Sequence, residues 1–469
     1  MYLAFLYMYF IWLALQNFLL PLAYQQQWLF AGTLGLLMAG KEVVMVLALL
    51  ALGYRAFQKG WRFNAADKFA FAYAILLTLY LALGPLVLGS TVPFFIRAVS
   101  ARALVSLVIF YFWGRLSYLE ISELKKFIRF VLGLQIGVAI FGLIEWTFLP
   151  TSFWSETVGV GNFMLDVKGL LEGMNVVDGL PGNMFRFDIR RIISTYGDPL
   201  SMGIACVFPL LLCLAWLLWR KRNGDAGKSN LKWILAAAVL SLALLLTIGR
   251  ESIGAALLGA ALLVWWSGKA KGFVAAGVVA VFMLMLLPQF WTNFVDTVTF
   301  RESSAAEHLQ FLQSGWNEAP KLLAGKGLGE AGGWAYSLAG VESEVGENSY
   351  FELMSQAGLL AVIFLVGFLI ASGSWALWYA RKIPDPLISA ALYAAAANIA
   401  ARAVLAMFSP SLFGVVPMAS FLFLCGAAFT SMQKMGLRPG LVLRPVKKVD
   451  PALALAYGHV YPAIAVKRL

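Results

Sequence analysis

Arginine grips a diphosphate better than lysine does, because its planar fork binds two oxygens at once. The chain carries arginines at two points where polar sequence meets an apolar run. The first is Arg186-Phe-Asp-Ile-Arg190-Arg191-Ile-Ile-Ser-Thr-Tyr196-Gly-Asp198-Pro199, which leads into an apolar stretch through Ser201-Met-Gly203. Three arginines beside a helix start, where backbone N–H groups and the helix dipole also favour negative charge, suit an anion. Arginines at a membrane boundary also reach out to lipid phosphates, and that reading stands beside the first. The second point is Leu246-Thr-Ile-Gly-Arg250-Glu251-Ser-Ile-Gly254, set between two apolar runs. An arginine at the edge of a membrane is costly unless it faces a polar cavity, pairs with Glu251 or binds an anion. Two such sites on different helices would clamp a diphosphate between them.

Proton transfer needs a different residue type, and the long polar stretch from Gln289 to Glu347 supplies it. His308 titrates near neutrality, and Glu347 stands where a new apolar run begins; either could accept a proton from a hydroxyl. Glu347 could instead cap that helix, with Asn348 beside it. Within the stretch, Leu309, Leu312, Trp316 and Ala319 or Pro320 recur at helical spacing, which predicts a cap containing short helices with one face laid against the bundle. Gly325, Gly327 and Gly329 would let the backbone approach a phosphate or sugar closely. No cluster has metal-ligand spacing, and no phosphate loop, nucleophile elbow or dinucleotide fingerprint is present, so neither metal nor cofactor is expected.

The elements that must position these residues are membrane helices. Of 469 residues, 61% are hydrophobic and 13% charged, with a mean hydropathy of +0.80, beyond what a soluble core needs. A spanning helix takes about 20 apolar residues, and the short alternating segments of a membrane barrel are absent. Apolar runs fall near 2–22, 28–54, 69–89, 101–119, 127–149, 199–219, 232–249, 252–267, 273–289, 349–379, 385–407 and 411–432. These predict an all-α polytopic membrane protein of about twelve spans, with a large loop domain between spans 9 and 10. Residues 1–432 then form one transmembrane domain with outer loops at 150–198 and 289–348, and 433–469 form a basic tail. The second span holds Lys41-Glu42, which implies either a long helix with an ion pair facing the bundle or a helix that starts near Lys41.

The net charge of +12 would suit nucleic acid, but the bases sit in short clusters after every second span, which marks topology. Those clusters, and with them both termini, are placed in the cytoplasm. The Gln289–Glu347 stretch carries eight acids against three bases, the opposite balance, and so faces outward. Cys206, Cys213 and Cys425 all lie in apolar runs and form no disulfide framework. Arg97, Arg102, Glu145 and Arg402 are read as bundle ion pairs.

Three of these segments together resemble the bacterial O-antigen ligase and O-antigen polymerase superfamily. Arg191-Ile-Ile-Ser-Thr-Tyr196-Gly-Asp-Pro-Leu-Ser-Met-Gly is similar to the family's arginine, Thr, aromatic, Asn/Asp-Pro pattern at the start of a span. Thr247-Ile-Gly-Arg250-Glu-Ser-Ile-Gly resembles its Thr-x-Ser-Arg-Gly turn, and Gly325-Lys-Gly-Leu-Gly329 with Glu347-Asn348-Ser-Tyr350 and Ala357-Gly-Leu-Leu resembles the end of its large loop and the next helix. The resemblance covers about Arg186 to Gly367. It implies a GT-C-like glycosyltransferase in the bacterial inner membrane that uses an undecaprenyl-diphosphate-linked glycan at the periplasmic face, with inversion and no required metal. Arg186, Arg190, Arg191 and Arg250 would hold the diphosphate, Glu347 and His308 would move protons, and Asn348, Tyr350 and Tyr196 would position donor or acceptor. Ligases of the family show His-Asn where this chain has Glu347-Asn348, so a catalytic histidine does not carry over, and the chain looks more like a polymerase. The ligase, which moves the glycan to a lipid or protein acceptor, is the alternative within this chemistry; a lipid-linked glycan flippase is the alternative outside it. Membrane lipids and other polysaccharide-export proteins are expected partners, and nucleic acid is not.

Overall fold

A computed structural model describes residues 2–58, 63–168, 176–177, 180–181, 184–186, 189–219, 230–268, 299, 303–332, 348–409 and 411–437. Thirteen α-helices are described: α1 (Tyr2–Gln25), α2 (Ala31–Gln58), α3 (Ala65–Leu88), α4 (Phe94–Ser117), α5 (Ile121–Phe148), α6 (Val160–Asp166), α7 (Pro199–Trp219), α8 (Leu231–Leu246), α9 (Arg250–Ser267), α10 (Ser303–Glu318), α11 (Ser349–Lys382), α12 (Pro386–Leu405) and α13 (Val415–Lys434). The only strands among the described residues are four of two residues each, β1 (Val176–Val177) with β2 (Leu180–Pro181) and β3 (Phe185–Arg186) with β4 (Ile189–Arg190), in two antiparallel hairpins. Eight helices, α1 to α5, α7, α11 and α12, are long and apolar enough to cross a membrane. The chain is an all-α protein of the multi-pass membrane type. Helices α8, α9 and α13 occupy three further expected spans, whereas the expected span at 273–289 and most of the 433–469 tail lie outside the described residues.

Helix α2 runs unbroken through Lys41-Glu42 and so resolves that ambiguity in favour of the long helix. Glu42 pairs with Arg102 of α4 at 3.0 Å, and Lys41 donates to Gln16 of α1 at 2.9 Å. Polar side chains that meet each other inside an apolar bundle avoid the desolvation cost of facing lipid alone.

The closest packing joins α4 to α13. A Cβ at Gly114 would overlap the Phe423 carbonyl, and one at Gly426 would overlap the Tyr111 carbonyl, so both positions require glycine for the backbones to meet. At the same end of the bundle, Asn64 and Asp67 form a capping box at the start of α3. Asp67 also accepts from Arg115 Nε at 2.8 Å, from Arg115 Nη2 at 2.6 Å and from the Tyr111 hydroxyl at 2.7 Å. Arg115 Nη1 donates to Thr430 on α13 at 2.6 Å. This basic end also holds the starts of α5 and α12, joined by Lys125 and Asp385 at 3.0 Å. The opposite, loop end gathers the end of α5, the α8–α9 turn, and the start of α11.

Candidate functional site

The segment that delivers the arginines leaves β4 at Arg190, turns at Ile193 and closes into a 3-10 turn, Ser194–Tyr196, before α7. Successive side chains of an extended chain point to opposite sides, and Arg190 and Arg191 part accordingly. Arg190 turns to the C-terminus of α5, where Nη2 donates to the carbonyls of Glu145, Trp146 and Leu149 at 2.9, 3.1 and 2.8 Å. Its Nη1 lies 3.6 Å from the buried Glu145 carboxylate, which also accepts from Trp154 at 2.9 Å. These contacts satisfy carbonyls that a helix leaves open at its end, so Arg190 holds structure and does not join the second arginine.

Arg191 turns the other way. It is buried, and its Nε donates to the Thr247 carbonyl at 2.5 Å while the next residue, Ile192, donates its N–H to Leu246 at 3.0 Å. The segment is therefore laced onto the Thr247-Ile-Gly-Arg250 turn between α8 and α9. A Cβ placed on Gly249 would lie 3.8 Å from Arg191 Nη2, which places Arg191 directly against this turn. Arg250, half-buried, opens α9, and no side chain caps that helix start. The two arginine motifs, 59 positions apart by number (250 − 191), thus meet at one helix N-terminus, where the dipole favours negative charge.

The backbone here is unusual. Ile248 has φ 48°, and Ser194, in the segment laced onto it, has φ 50°. A left-handed β-branched residue is uncommon and costs about 1–3 kcal/mol unless its surroundings hold it there. Here the Thr247 hydroxyl, which donates to Leu244 at 2.6 Å and accepts from Gly249 N at 3.3 Å, fixes the turn.

Glu251 reaches α12, lying 3.7 Å from the buried Arg402 and accepting from the Ser409 hydroxyl at 2.7 Å. The carbonyl of the same Ser409 accepts from the Ser349 hydroxyl at 2.6 Å. One residue therefore ties the start of α9 to the start of α11. Asn348 caps α11 through Tyr350 N and Phe351 N at 2.9 and 3.1 Å, and its amide nitrogen donates to Met407 at 2.6 Å. The cap thus falls to Asn348. Glu347 and the side chains of His308 and Arg186 lie outside the described residues, although the backbone places His308 on α10.

Two tyrosines are held elsewhere. The Tyr196 hydroxyl donates to Gln135 at 2.9 Å, and burial pushes its phenol well above the ordinary range, so it stays a neutral donor inside the bundle. The Tyr350 hydroxyl donates to Ala403 at 2.6 Å beside an apolar groove of about 270 Å³ between α11 and α12, lined by Trp266, Leu369, Gly373 and Ala396 among others.

The glycine-rich loop also departs from its expected use. Gly325, Gly327 and Gly329 all have positive φ, but Lys326 N donates to Ser355 at 2.6 Å and Gly329 N to the Gln356 side chain at 3.0 Å. These N–H groups dock the loop on α11 and do not cradle a phosphate. The cap helix α10 meets the bundle through Gly315, where a Cβ would overlap the Phe351 ring, while Trp316 faces away and is 73% exposed. Among the described residues, no group of three His, Cys, Asp or Glu side chains could hold a metal ion.

Ser409 escaped sequence reasoning; its only signal is the short Phe408-Ser-Pro-Ser411 sequence, which shows a connection but not what it grips. Glu251 and Arg402 were each read as pairing residues, but the sequence did not show that they meet each other. No protein-family model matches this chain, and no curated protein matches its sequence.

Proposed function

We propose that the chain is a glycosyltransferase of the O-antigen polymerase type, joining undecaprenyl-diphosphate-linked oligosaccharide repeats into an exported polysaccharide. The observation that carries this reading is the meeting of Arg191 with the Thr247–Arg250 turn at the start of α9, tied through Ser409 to the start of α11. In the reaction, an acceptor hydroxyl oxygen attacks the anomeric carbon from the face opposite the diphosphate. The bond from that carbon to the diphosphate oxygen breaks, its electron pair leaves on the carrier, and the hydroxyl proton passes to Glu347 or His308. A diphosphate leaving group already bears its charge, so guanidinium groups fixed before the reaction stabilise its departure as a bound cation would. In this reading twelve spans place the loop end at the periplasm and both termini in the cytoplasm, and the lipid-borne donor arrives laterally between helices.

The test is reconstitution in proteoliposomes with a carrier-linked oligosaccharide. A ladder of repeat lengths is expected. A single shifted acceptor band would replace the polymerase with the ligase, and transbilayer movement of donor without new glycosidic bonds would replace both with a flippase.

A further inference from the structure

Helix α10 has a wider apolar arc than the bundle covers. At 100° per residue, Gly315 and Ala319 point toward α11, while Leu309 and Trp316, seven positions apart, form a second apolar edge some 100–120° around the helix. Trp316 is 73% exposed and Leu309 36%, and Leu323, just past the helix, is 57% exposed. Gln310, Gln313 and Asn317 fill the far side and are also exposed. An apolar edge between a protein-facing side and a polar side has the layout of a helix lying in a membrane surface.

The position of the following turn fixes which surface. Leu323 accepts from Leu359 N at 3.0 Å, so it abuts the stretch of α11 whose Leu359, Leu360 and Ile363 are exposed apolar side chains of a candidate span. The next carbonyl, that of Ala324, accepts from the Tyr80 hydroxyl at 2.5 Å. Tyr80 lies eight residues before the end of α3 at Leu88, about 12 Å below that end at about 1.5 Å per residue. Leu323 therefore sits at a depth where α3 and α11 turn leucines outward, and its exposed side chain continues their apolar belt.

We propose that α10 and its following turn are embedded in the lipid–water interface at the loop end, with Leu309, Trp316 and Leu323 among lipid chains and Gln310, Gln313 and Asn317 toward water. The partner is the bilayer that the bundle spans. Tryptophan, with an apolar body and one N–H donor, suits this boundary. The inference rests on exposure and packing and does not depend on the reaction proposed above.

The test places one environment-sensitive fluorophore at a time on Trp316→Cys, Asn317→Cys or Leu323→Cys in the full chain in lipid nanodiscs. Cys206, Cys213 and Cys425 are fully buried and stay unlabelled in the folded protein. Labels at 316 and 323 are expected to emit at shorter wavelength than at 317. They should be quenched several-fold more by lipids carrying a nitroxide near the top of the acyl chain, and less by iodide in the buffer. If iodide quenches 316 and 317 equally, the edge faces water and the proposal fails. It fails also if the 316 label is shielded from both quenchers, since protein then covers the edge. Should Trp316→Cys not fold, Leu323→Cys decides by the same two outcomes.

Discussion

Buried arginines stand at both ends of the bundle, and they are held in different ways. At the basic end, Arg115 is clasped by the Asp67 carboxylate through two short bonds, with both side chains fully buried. At the loop end, Arg191 is oriented by the Thr247 carbonyl. The first contact locks a junction between packed helices, whereas the second fastens an extended segment to the turn that opens α9. Burial alone therefore does not separate a structural arginine from one placed to hold an anion; the element to which each is fastened does.

The sharpest way to break that contrast is to remove the clasp. Asp67→Ala leaves Arg115 as an uncompensated buried charge and should destabilise the protein by about 3–5 kcal/mol, seen as a lower midpoint of thermal unfolding in detergent. An unchanged midpoint would show that the Asp67–Arg115 contact does not hold the basic end together. The matching change at the other end should act on turnover and not on folding. Arg191→Lys and Arg250→Lys keep the charge but lose the two-point grip, so each should cut turnover of carrier-linked donor by on the order of a hundredfold at normal expression. Wild-type rates in both variants would end the clamp idea. A smaller effect belongs to Asn348→Ala, which removes a helix cap worth about 1 kcal/mol. Faster hydrogen exchange at the Tyr350 and Phe351 amides is expected, and unaltered protection there would refute the cap. The smallest expected effect is none at all: chelation by EDTA should leave activity intact, and a loss that divalent metal restores would overturn arginine-only stabilisation.

The spanning helices were legible because lipid demands long apolar runs, and the eight described candidate spans fall where those runs lie. Which arginine does what was not legible. Arg190 and Arg191 are chemically identical neighbours, and only the extended backbone sends one to a helix end and the other to the α8–α9 turn. Hydrophobic spacing on α10 predicted a bundle-facing Trp316, but periodicity cannot distinguish lipid from protein as the apolar neighbour. The glycines at 325–329 signalled positive φ correctly, yet the same freedom serves to approach a phosphate or to dock on a helix.

Helix α11 breaks at Gly358, where φ is 78° and ψ 174°. A free break would let residues 349–357 swing against the span that follows. Here the strap from Leu323 to Lys326 crosses it: Lys326 N bonds Ser355 on the near side, and Leu359 N on the far side bonds Leu323. The strap is a splint, so the bend can change only by loosening hydrogen bonds worth about 0.5–1.5 kcal/mol each. Because the splint is continuous with α10, the tilt of the cap helix and the angle of the α11 start move as one lever.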